Sequence, residues 1–452
     1  MKIIIAGCGK IGTTIVSELT AEGHDIVAID TDEAIVNEIN NIYDVMCVVG
    51  PCADSDTLIE AGTRDADLFV AVTGSDEMNM LACYLAKKLG AKNTIARIRN
   101  PHYNDSSLNF LKQHLDLNVA INPEQLVAKE LYNILKFPSA DSIESFSRKR
   151  FELIHYRLRA DSPLANKNLI EIRKTYPGNY LIGTVERKEE IFMPSGNFIL
   201  REGDKVGFVA PPQEIQKLFK QLGILQKKAR SVMILGASTT AFYLAKMLLA
   251  SGNPVKIIEQ NHARCEQFSA LLPGAVIIEG DGASQELLLE EGISSTDAFV
   301  SLTGMDEENI LISIFASTQN VHKVISKVNR TELAAMAEKL GLDTIVSPKK
   351  VVSDILSSYA RALENSQGSN IETLYKLLDG KAEALEFIVK DDFKYKDLPL
   401  KSMKFKPNTL IAGIIRNRKS IVPTGDDVIL PGDKIVVLAA GMKLGDLSDV
   451  LL

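Results

Sequence analysis

The chain contains itself twice. Gly7 opens a glycine turn after a short apolar run, and Gly236 does the same 229 positions later. Asp30 and Glu259 end the next apolar run of each half at that same offset. Val70-Ala71-Val72-Thr73-Gly74 and Asp76-Glu77-Met78-Asn79 are echoed by Val300-Ser301-Leu302-Thr303-Gly304 and Asp306-Glu307-Glu308-Asn309. Farther on, Asn179 through Arg187, Pro194-Ser195-Gly196 and Gly203-Asp204 return as Asn408 through Arg416, Pro423-Thr424-Gly425 and Gly432-Asp433. A near-constant offset over 452 residues is a tandem duplication, so the fold must be built from two like halves.

Each half divides again. Short apolar runs at 2–6, 25–29, 45–49, 68–72, 94–98 and 118–121 alternate with helical patterns such as Ile11, Ile15, Val16 and Leu19, with Gly23 where a helix C-cap belongs. Near-continuous apolar strands separated by helices predict a parallel, doubly wound sheet covered on both faces. Six strands suit two mononucleotide-binding halves. Residues from about 150 to 225 read differently. Turn clusters such as Pro177-Gly178-Asn179 and Glu202-Gly203-Asp204 separate short strands at 181–185 and 205–209, predicting a small β-rich module. The expected fold is therefore α/β: two doubly wound, Rossmann-like parallel-sheet domains, each followed by a small α+β module. The expected bounds are 1–137, 138–228, 229–365 and 366–452. The Ser-rich stretch 138–150 and the run 364–369 are the expected linkers.

Composition excludes several classes. Hydrophobic residues at 46% and charged residues at 24% rule out wholesale disorder. The net charge of -7 lacks the basic surplus of a sequence-independent nucleic-acid binder. No apolar run reaches the roughly 18 residues of a membrane span; the best, 232–249, is broken by Gly236, Ser238, Thr239, Thr240 and Lys246. Residues 3–6 are too short for a signal peptide and meet a glycine turn at once. The five cysteines are odd in number and form no Cys-x-x-Cys, so neither a disulfide framework nor a zinc site is expected.

Gly7-Cys8-Gly9-Lys10-Ile11-Gly12 is a full G-x-G-x-x-G that follows a predicted strand, opens a predicted helix and has Asp30 at the end of the next strand. Gly7 permits the tight turn, Gly9 admits backbone N–H groups to a pyrophosphate, and Gly12 lets helix and strand approach closely. The helix N-terminus faces the phosphates with about half a positive charge. Asp30 accepts the ribose hydroxyls and repels a 2′-phosphate, and Thr31-Asp32 supplies no Arg to relieve it, which favours NAD(H) or another adenine nucleotide over NADP. Thr73 and Gly74 end the fourth strand at the crevice where strand order reverses; Thr73 is expected to donate its hydroxyl to ligand. Asp76 and Glu77 read as acids favoured by a helix N-terminus. Arg97, at the end of the fifth strand, either clamps phosphate or pairs with a nearby acid.

The second half keeps a weaker copy. Gly236-Ala237-Ser238-Thr239-Thr240-Ala241 has Ser and Ala where the second and third glycines stood, and the Ser238 Cβ hinders close approach. Glu259 keeps the ribose acid, Asp281 follows the third strand, Thr303 follows the fourth, and Lys327 replaces Arg97. These predict a second nucleotide site of lower or different affinity.

Taken together, the turn with Asp30, the Val-Ala-Val-Thr run with Asp76-Glu77-x-Asn79, Ala96-Arg97-Ile98-Arg99, and the later Asn-Leu-Ile strand with Pro-x-Gly and Gly-Asp resemble RCK (also called KTN) domains. Four modules in the order N, C, N, C resemble the regulatory subunits of Trk potassium uptake over essentially the whole chain. That resemblance implies a cytosolic, non-catalytic subunit that binds NAD(H) and ATP/ADP in its N modules. It implies assembly as a homo-oligomeric ring, here a tetramer, beneath a membrane potassium channel or transporter. Gly7–Ile11, Asp30, Thr73, Gly74 and Arg97 carry over as first-site contacts, and Glu259 and Thr303 as second-site contacts. Some C modules of this kind bind small anions or cyclic dinucleotides; here a dimerising β module with a structural Arg is expected.

The main rival is an NAD-dependent dehydrogenase, since one fold hosts many functions. It needs a positioned acid or base, yet His24, His102, His114, His155, His262 and His322 are scattered and none recurs at a strand end near the crevice. A nucleotide-binding scaffold for another cation transporter is the second rival. The apolar stripes Leu126, Val127, Leu131, Ile134, Leu135 and Val351, Val352, Ile355, Leu356 are expected to pack each helix on a partner N module, in addition to filling ordinary core.

Overall fold

The structure, a computed structural model, describes every residue except 102, 104, 147–149, 189, 226–227, 343, 366–370 and 379, and at 105, 106, 365, 372 and 373 the backbone alone. His102 and most of the expected linker at 364–369 lie outside the described residues.

The first half begins with β1 (Lys2–Ala6), α1 (Lys10–Ala21), β2 (Asp25–Asp30), α2 (Glu33–Ile42), β3 (Met46–Val49) and α3 (Ser55–Glu60). It continues with β4 (Leu68–Ala71), α4 (Asp76–Leu89), β5 (Asn93–Arg97), α5 (Asp105–His114), β6 (Val119–Ile121) and α6 (Pro123–Lys136). The six strands pair in parallel in the order β3-β2-β1-β4-β5-β6, so order reverses between β1 and β4, and the crevice opens at their C-terminal ends. Side-chain caps set the helix starts: Asp32, Asp54, Ser75 and Asn122 each accept a backbone N–H of the following turn.

A five-stranded antiparallel sheet follows, built from β7 (Ser142–Phe146), β8 (Phe151–Arg157), β9 (Leu181–Arg187), β10 (Glu190–Phe192) and β11 (Lys205–Ala210), with helices α7 (Leu169–Thr175) and α8 (Pro212–Gln221). Its order is β10-β9-β11-β8-β7. The stretch 138–150, expected as a linker, therefore contains a strand. β7 is an edge strand with mostly half-buried residues, and a sheet edge tolerates the Ser and Glu that make the segment read as polar chain.

The second half repeats the plan with β12 (Val232–Leu235), α9 (Thr239–Ala250), β13 (Val255–Glu259), α10 (His262–Leu271), β14 (Val276–Glu279) and α11 (Gln285–Glu290). Then come β15 (Ala298–Ser301), α12 (Asp306–Thr318), β16 (Lys323–Lys327), α13 (Thr331–Lys339), β17 (Ile345–Val346) and α14 (Pro348–Asn365), in the sheet order β14-β13-β12-β15-β16-β17. The last sheet, ordered β18-β19-β22-β20-β21, comprises β18 (Ile371–Leu377), β19 (Ala382–Ile388), β20 (Thr409–Arg416), β21 (Lys419–Ile421) and β22 (Lys434–Ala440). Where the first module has α7, the second has only a 3-10 turn at Leu400–Ser402. α7 opens on a capping box between Asn168 and Glu171; in the second module Pro399 stands at the cap and Ser402 three residues on, so both halves of that reciprocal bond are lost.

The halves interlock through the helices that end each parallel sheet. Val127, Ala128, Leu131, Ile134 and Leu135 of α6 share a buried core with Ala241, Leu244, Ala245 and Leu248 of α9. Reciprocally, Val352, Leu356 and Ala360 of α14 pack on Ile15, Val16 and Leu19 of α1. The partner lobe expected for these helices is thus the other half of the same chain. Leu131 is fully buried in this seam; Leu131→Ala is expected to cost about 2–5 kcal/mol of unfolding free energy in a urea titration.

The two antiparallel sheets also face one another. Phe146, Phe151, Leu153 and Val209 pack with Leu377, Ala384, Val436 and Leu438. Gly183 and Gly413 make this approach possible: a Cβ would lie 2.3 Å from Leu438 Cδ1 at the first and 3.0 Å from the Phe151 ring at the second. The recurrent Arg of each module is structural. Arg187 Nε and Nη2 each donate to Asp204 at 2.7 Å, and Arg416 grips Asp433 at 2.9 and 2.7 Å. Asp204 is buried. Asp204→Ala strands the guanidinium of Arg187 and is expected to lower stability by about 3 kcal/mol, read as a falling chemical-denaturation midpoint.

Candidate functional site

The crevice at the β1/β4 reversal is built as the glycine spacing requires. Gly7 has φ +93°, and a Cβ there would stand 2.7 Å from the Thr73 amide nitrogen; one on Gly12 would stand 1.9 Å from the Gly7 carbonyl oxygen. Beside Gly9 a Cβ meets nothing within 4 Å, so that face of the turn is open. Gly9 also leaves α1 without a side-chain cap, and its first amide donors point to the crevice. Asp30 is fixed at the end of β2: its Oδ2 accepts from the Cys8 amide at 2.6 Å and its Oδ1 from the Asp32 amide at 3.0 Å. Each oxygen retains a lone pair for ligand. Cys8 points away from the crevice. It is buried, its Sγ lies 3.6 Å from the Ile29 carbonyl oxygen, and burial followed by the nearby Asp30 charge pushes its thiol up to about 12.

Thr73 departs from expectation. Its hydroxyl donates to Asn79 Oδ1 at 2.7 Å, and the same oxygen accepts the Thr73 amide, so towards ligand the hydroxyl is left as an acceptor. Asn79 Nδ2 in turn donates to the Arg97 carbonyl at 2.9 Å. Asp76 likewise does more than sit at a helix start. It is buried and its Oδ2 accepts the Arg99 and Asn100 amides at 3.0 and 2.8 Å. The Asp-Glu-x-Asn run thus staples the end of β4 to the end of β5. Asn309 and Asp306 repeat both contacts in the second half.

Arg97 is buried, not paired with a surface acid. Its Nη2 donates to the Thr73 carbonyl at 2.7 Å and its Nε has no partner. Burial, then the neighbouring Arg99 charge, pulls its pKa below the usual guanidinium value. The second-half counterpart, Lys327, is half-buried and shifted down by desolvation, against the opposing charges of Asp306 and Glu124.

These groups meet in a cavity of about 780 Å³. Of the residues expected to bind, Gly7, Gly9, Lys10, Ile11, Asp30, Thr73, Gly74 and Arg97 line it from the first half, and Ser238, Thr239, Thr240 and Lys327 from the second. Cys8 and Gly12 lie beneath the turn, and Gly236, Ala237, Glu259, Asp281 and Thr303 do not line this cavity. Glu259 accepts the Ala237 and Asn261 amides at 2.8 Å, as Asp30 does in its own turn, and Asp281 accepts the Ala283 amide at 2.9 Å.

The structure adds residues that motif reasoning passed over. Arg99, Glu124, Arg264 and Lys349 also line the cavity. Arg99 lies two residues beyond Arg97, a spacing that puts alternate strand residues on one side and so was open to detection. Glu124 and Lys349 start α6 and α14, and only the interlocking of the halves brings them in. The lining thus holds six cationic side chains (Lys10, Arg97, Arg99, Arg264, Lys327, Lys349) against the carboxylates of Asp30 and Glu124. Among the described residues none of the six is ion-paired, and Glu124 Oε2 is buried without a partner. In a chain of net charge -7, this concentration of cations makes the cavity electrostatically complementary to a polyanion.

Comparison with known proteins agrees with the geometry. The TrkA-N domain model matches residues 3–123 and 232–348, and the TrkA-C domain model matches 153–223 and 384–449. The chain is 32% identical over the full length of both chains to a Trk system potassium uptake protein TrkA homolog of Archaeoglobus fulgidus. It is 31% identical to the Trk system potassium uptake protein TrkA of Vibrio alginolyticus, over 100% of this chain and 98% of that one. Among solved structures, the GsuK channel bound to NAD superposes with a TM-score of 0.63 at 16% identity, covering 97% of this chain and 77% of that one. The isolated GsuK RCK domain superposes with a TM-score of 0.63 at 17% identity, covering 97% and 92%. These two likenesses concern the fold.

Proposed function

The chain belongs to the TrkA family of potassium-uptake proteins, and from that premise we propose that it is a nucleotide-sensing regulatory subunit of a membrane potassium channel or transporter. The observation that carries the reading is the cation-lined cavity shared by both halves. In it, Asp30 takes the ribose hydroxyls, the uncapped start of α1 at Gly9–Ile11 takes the diphosphate, and Arg97 and Arg99 neutralise it. NAD(H) and ATP/ADP meet these groups; a 2′-phosphate meets the Asp30 charge. The four working units are 1–137, 138–228, 229–365 and 366–452.

The chemistry of the lining supports binding without turnover. Among the described residues no His lines the cavity, and apart from the Cys52 thiol, which burial holds in its neutral form, the titratable groups there are carboxylates and cations suited to phosphate. Regulation follows from where the ligand sits. A molecule held by groups of both lobes favours one inter-lobe arrangement over others. Each site supplies only its differential affinity, typically ~1–3 kcal/mol, whereas moving a gate from 1:99 to 99:1 takes about 5.5 kcal/mol. Roughly two to five coupled sites are therefore required, which a homotetramer provides. No helix among the described residues is long and apolar enough to cross a membrane. Membership of a potassium-uptake family supports the inner membrane face as the place of action, reached through the transporter.

Native mass spectrometry against a nucleotide panel tests this. Retention of NAD(H), ATP or ADP on an intact oligomer is the expected outcome. Absence of any bound nucleotide, or its chemical conversion at an enzymatic rate, contradicts the proposal.

A further inference from the structure

The duplication gives both lobes a glycine turn, a ribose acid and a cation at the end of the fifth strand, but the lobes present them differently. In the first lobe the cavity runs along the whole nucleoside seat, from Gly7 and Asp30 to Gly50 and Cys52 beyond β3. The second-lobe counterparts Gly236, Glu259, Gly280 and Gly282 do not line it.

Two side chains account for the difference. Arg264 occupies the position of Ile35, one turn into its helix, and its Nη1 donates to the Ala237 carbonyl at 2.9 Å. The guanidinium therefore ties α10 to the glycine turn, across the gap a nucleoside would enter. Ser238 occupies the position of Gly9, and its hydroxyl accepts the Ala241 amide at 3.3 Å. One of the α9 donors that a diphosphate would use is already satisfied, whereas α1 is uncapped. What the second lobe offers the cavity is phosphate chemistry without a nucleoside seat: Thr239 and Thr240 at the start of α9, Lys327 at the end of β16 and Lys349 in the first turn of α14. Neither lysine has a carboxylate partner among the described residues, and the half-buried Lys327 regains, on meeting a phosphate, the charge stabilisation that burial denies it.

We propose that the chain binds one nucleotide rather than two, the first lobe seating the nucleoside and the second lobe holding the outer phosphoryl groups of that same molecule through Lys327 and Lys349. The ligand class that satisfies both lobes is an adenine nucleoside triphosphate. The inference rests on the first-lobe seat proposed above, and adds a role for the second lobe that the duplication hides.

Titration calorimetry on the full-length protein with ATP and AMP separates the two ideas. One ATP per chain is expected. Lys327→Gln and Lys349→Gln are each expected to weaken ATP about tenfold, the size of one lost charge-assisted bond, while moving AMP less than twofold. Two ATP per chain, or equal weakening of ATP and AMP, overturns the inference while leaving the first-lobe seat standing. Binding of neither ligand overturns that seat, and the inference with it. Should Lys327→Gln fail to fold, as judged by circular dichroism, Lys349→Gln alone decides.

Discussion

Asp30→Ala is expected to weaken NAD(H) binding about tenfold or more and to abolish nucleotide control of potassium flux. The carboxylate stands at the C-terminal end of β2, fixed from below by the Cys8 and Asp32 amides. Its free lone pairs face the only part of a nucleotide that carries vicinal hydroxyls. Hydrogen bonds to a charged acceptor are worth about 1.5–3 kcal/mol each, so losing the acceptor is felt even after water replaces part of the contact. The same substitution removes the charge that repels a 2′-phosphate, so preference for NAD(H) over NADP(H) is expected to narrow alongside the loss of affinity. Calorimetry on wild type and variant reads both effects. Unchanged binding would take Asp30 out of the site.

Glu22→Ala is expected to cost about 3 kcal/mol of stability, because it removes the carboxylate that two buried cations share and leaves each with a single acidic partner. Glu22, beyond the C-terminal end of α1, lies 2.9 Å from Arg361 Nε and 2.6 Å from Lys376 Nζ. Arg361 also meets Glu383 at 2.7 Å, and Lys376 meets Glu18 at 2.9 Å. The three central side chains are 5%, 10% and 9% exposed, so water offers little compensation. This network joins the first parallel-sheet lobe to α14 and β18. At the equivalent junction of the other lobe stand the neutral Ser251 and Asn253, with the amide of Asn253 donating to the Ala229 carbonyl at 2.6 Å. Burial pushes the Glu22 carboxyl up, but the bonds and charges of Lys376 and Arg361 prevail and hold it below its ordinary value. A depressed carboxylate contributes stability that is complete above its unfolded pKa and lost as pH falls through the folded one. Wild type is therefore expected to lose stability in the acid range below the ordinary glutamate value, and Glu22→Ala to flatten that limb of a pH–denaturation profile. A variant as stable as wild type, with an unchanged acid limb, would show that the network contributes nothing net.

Much of this architecture is legible in the residues because it is local. The Rossmann-like order follows from apolar runs alternating with helical stripes, and Gly7, Gly12 and Asp30 sit where backbone sterics and hydrogen bonding demand them. What escapes the sequence is what depends on distant contacts. β7 was hidden by its own polarity, since an edge strand needs no apolar alternation. The Thr73 hydroxyl looks free until Asn79 is folded against it. Glu124 and Lys349 carry no motif and become cavity residues only because α6 crosses to α9 and α14 to α1. Arg264 is a single departure from a repeat whose other positions match, and its meaning appears only when its guanidinium is seen on the Ala237 carbonyl.

Sensing requires that occupancy of the shared cavity change the relation between the two lobes. Double electron–electron resonance on spin labels at Glu60→Cys and Glu290→Cys, on exposed helices of the two lobes, reads that relation directly. Saturating nucleotide is expected to shift the inter-lobe distance distribution, to do so with the ligand recovered chemically intact, and to lose the effect when Asp30→Ala is added. An identical distribution with and without bound nucleotide would contradict a sensing role.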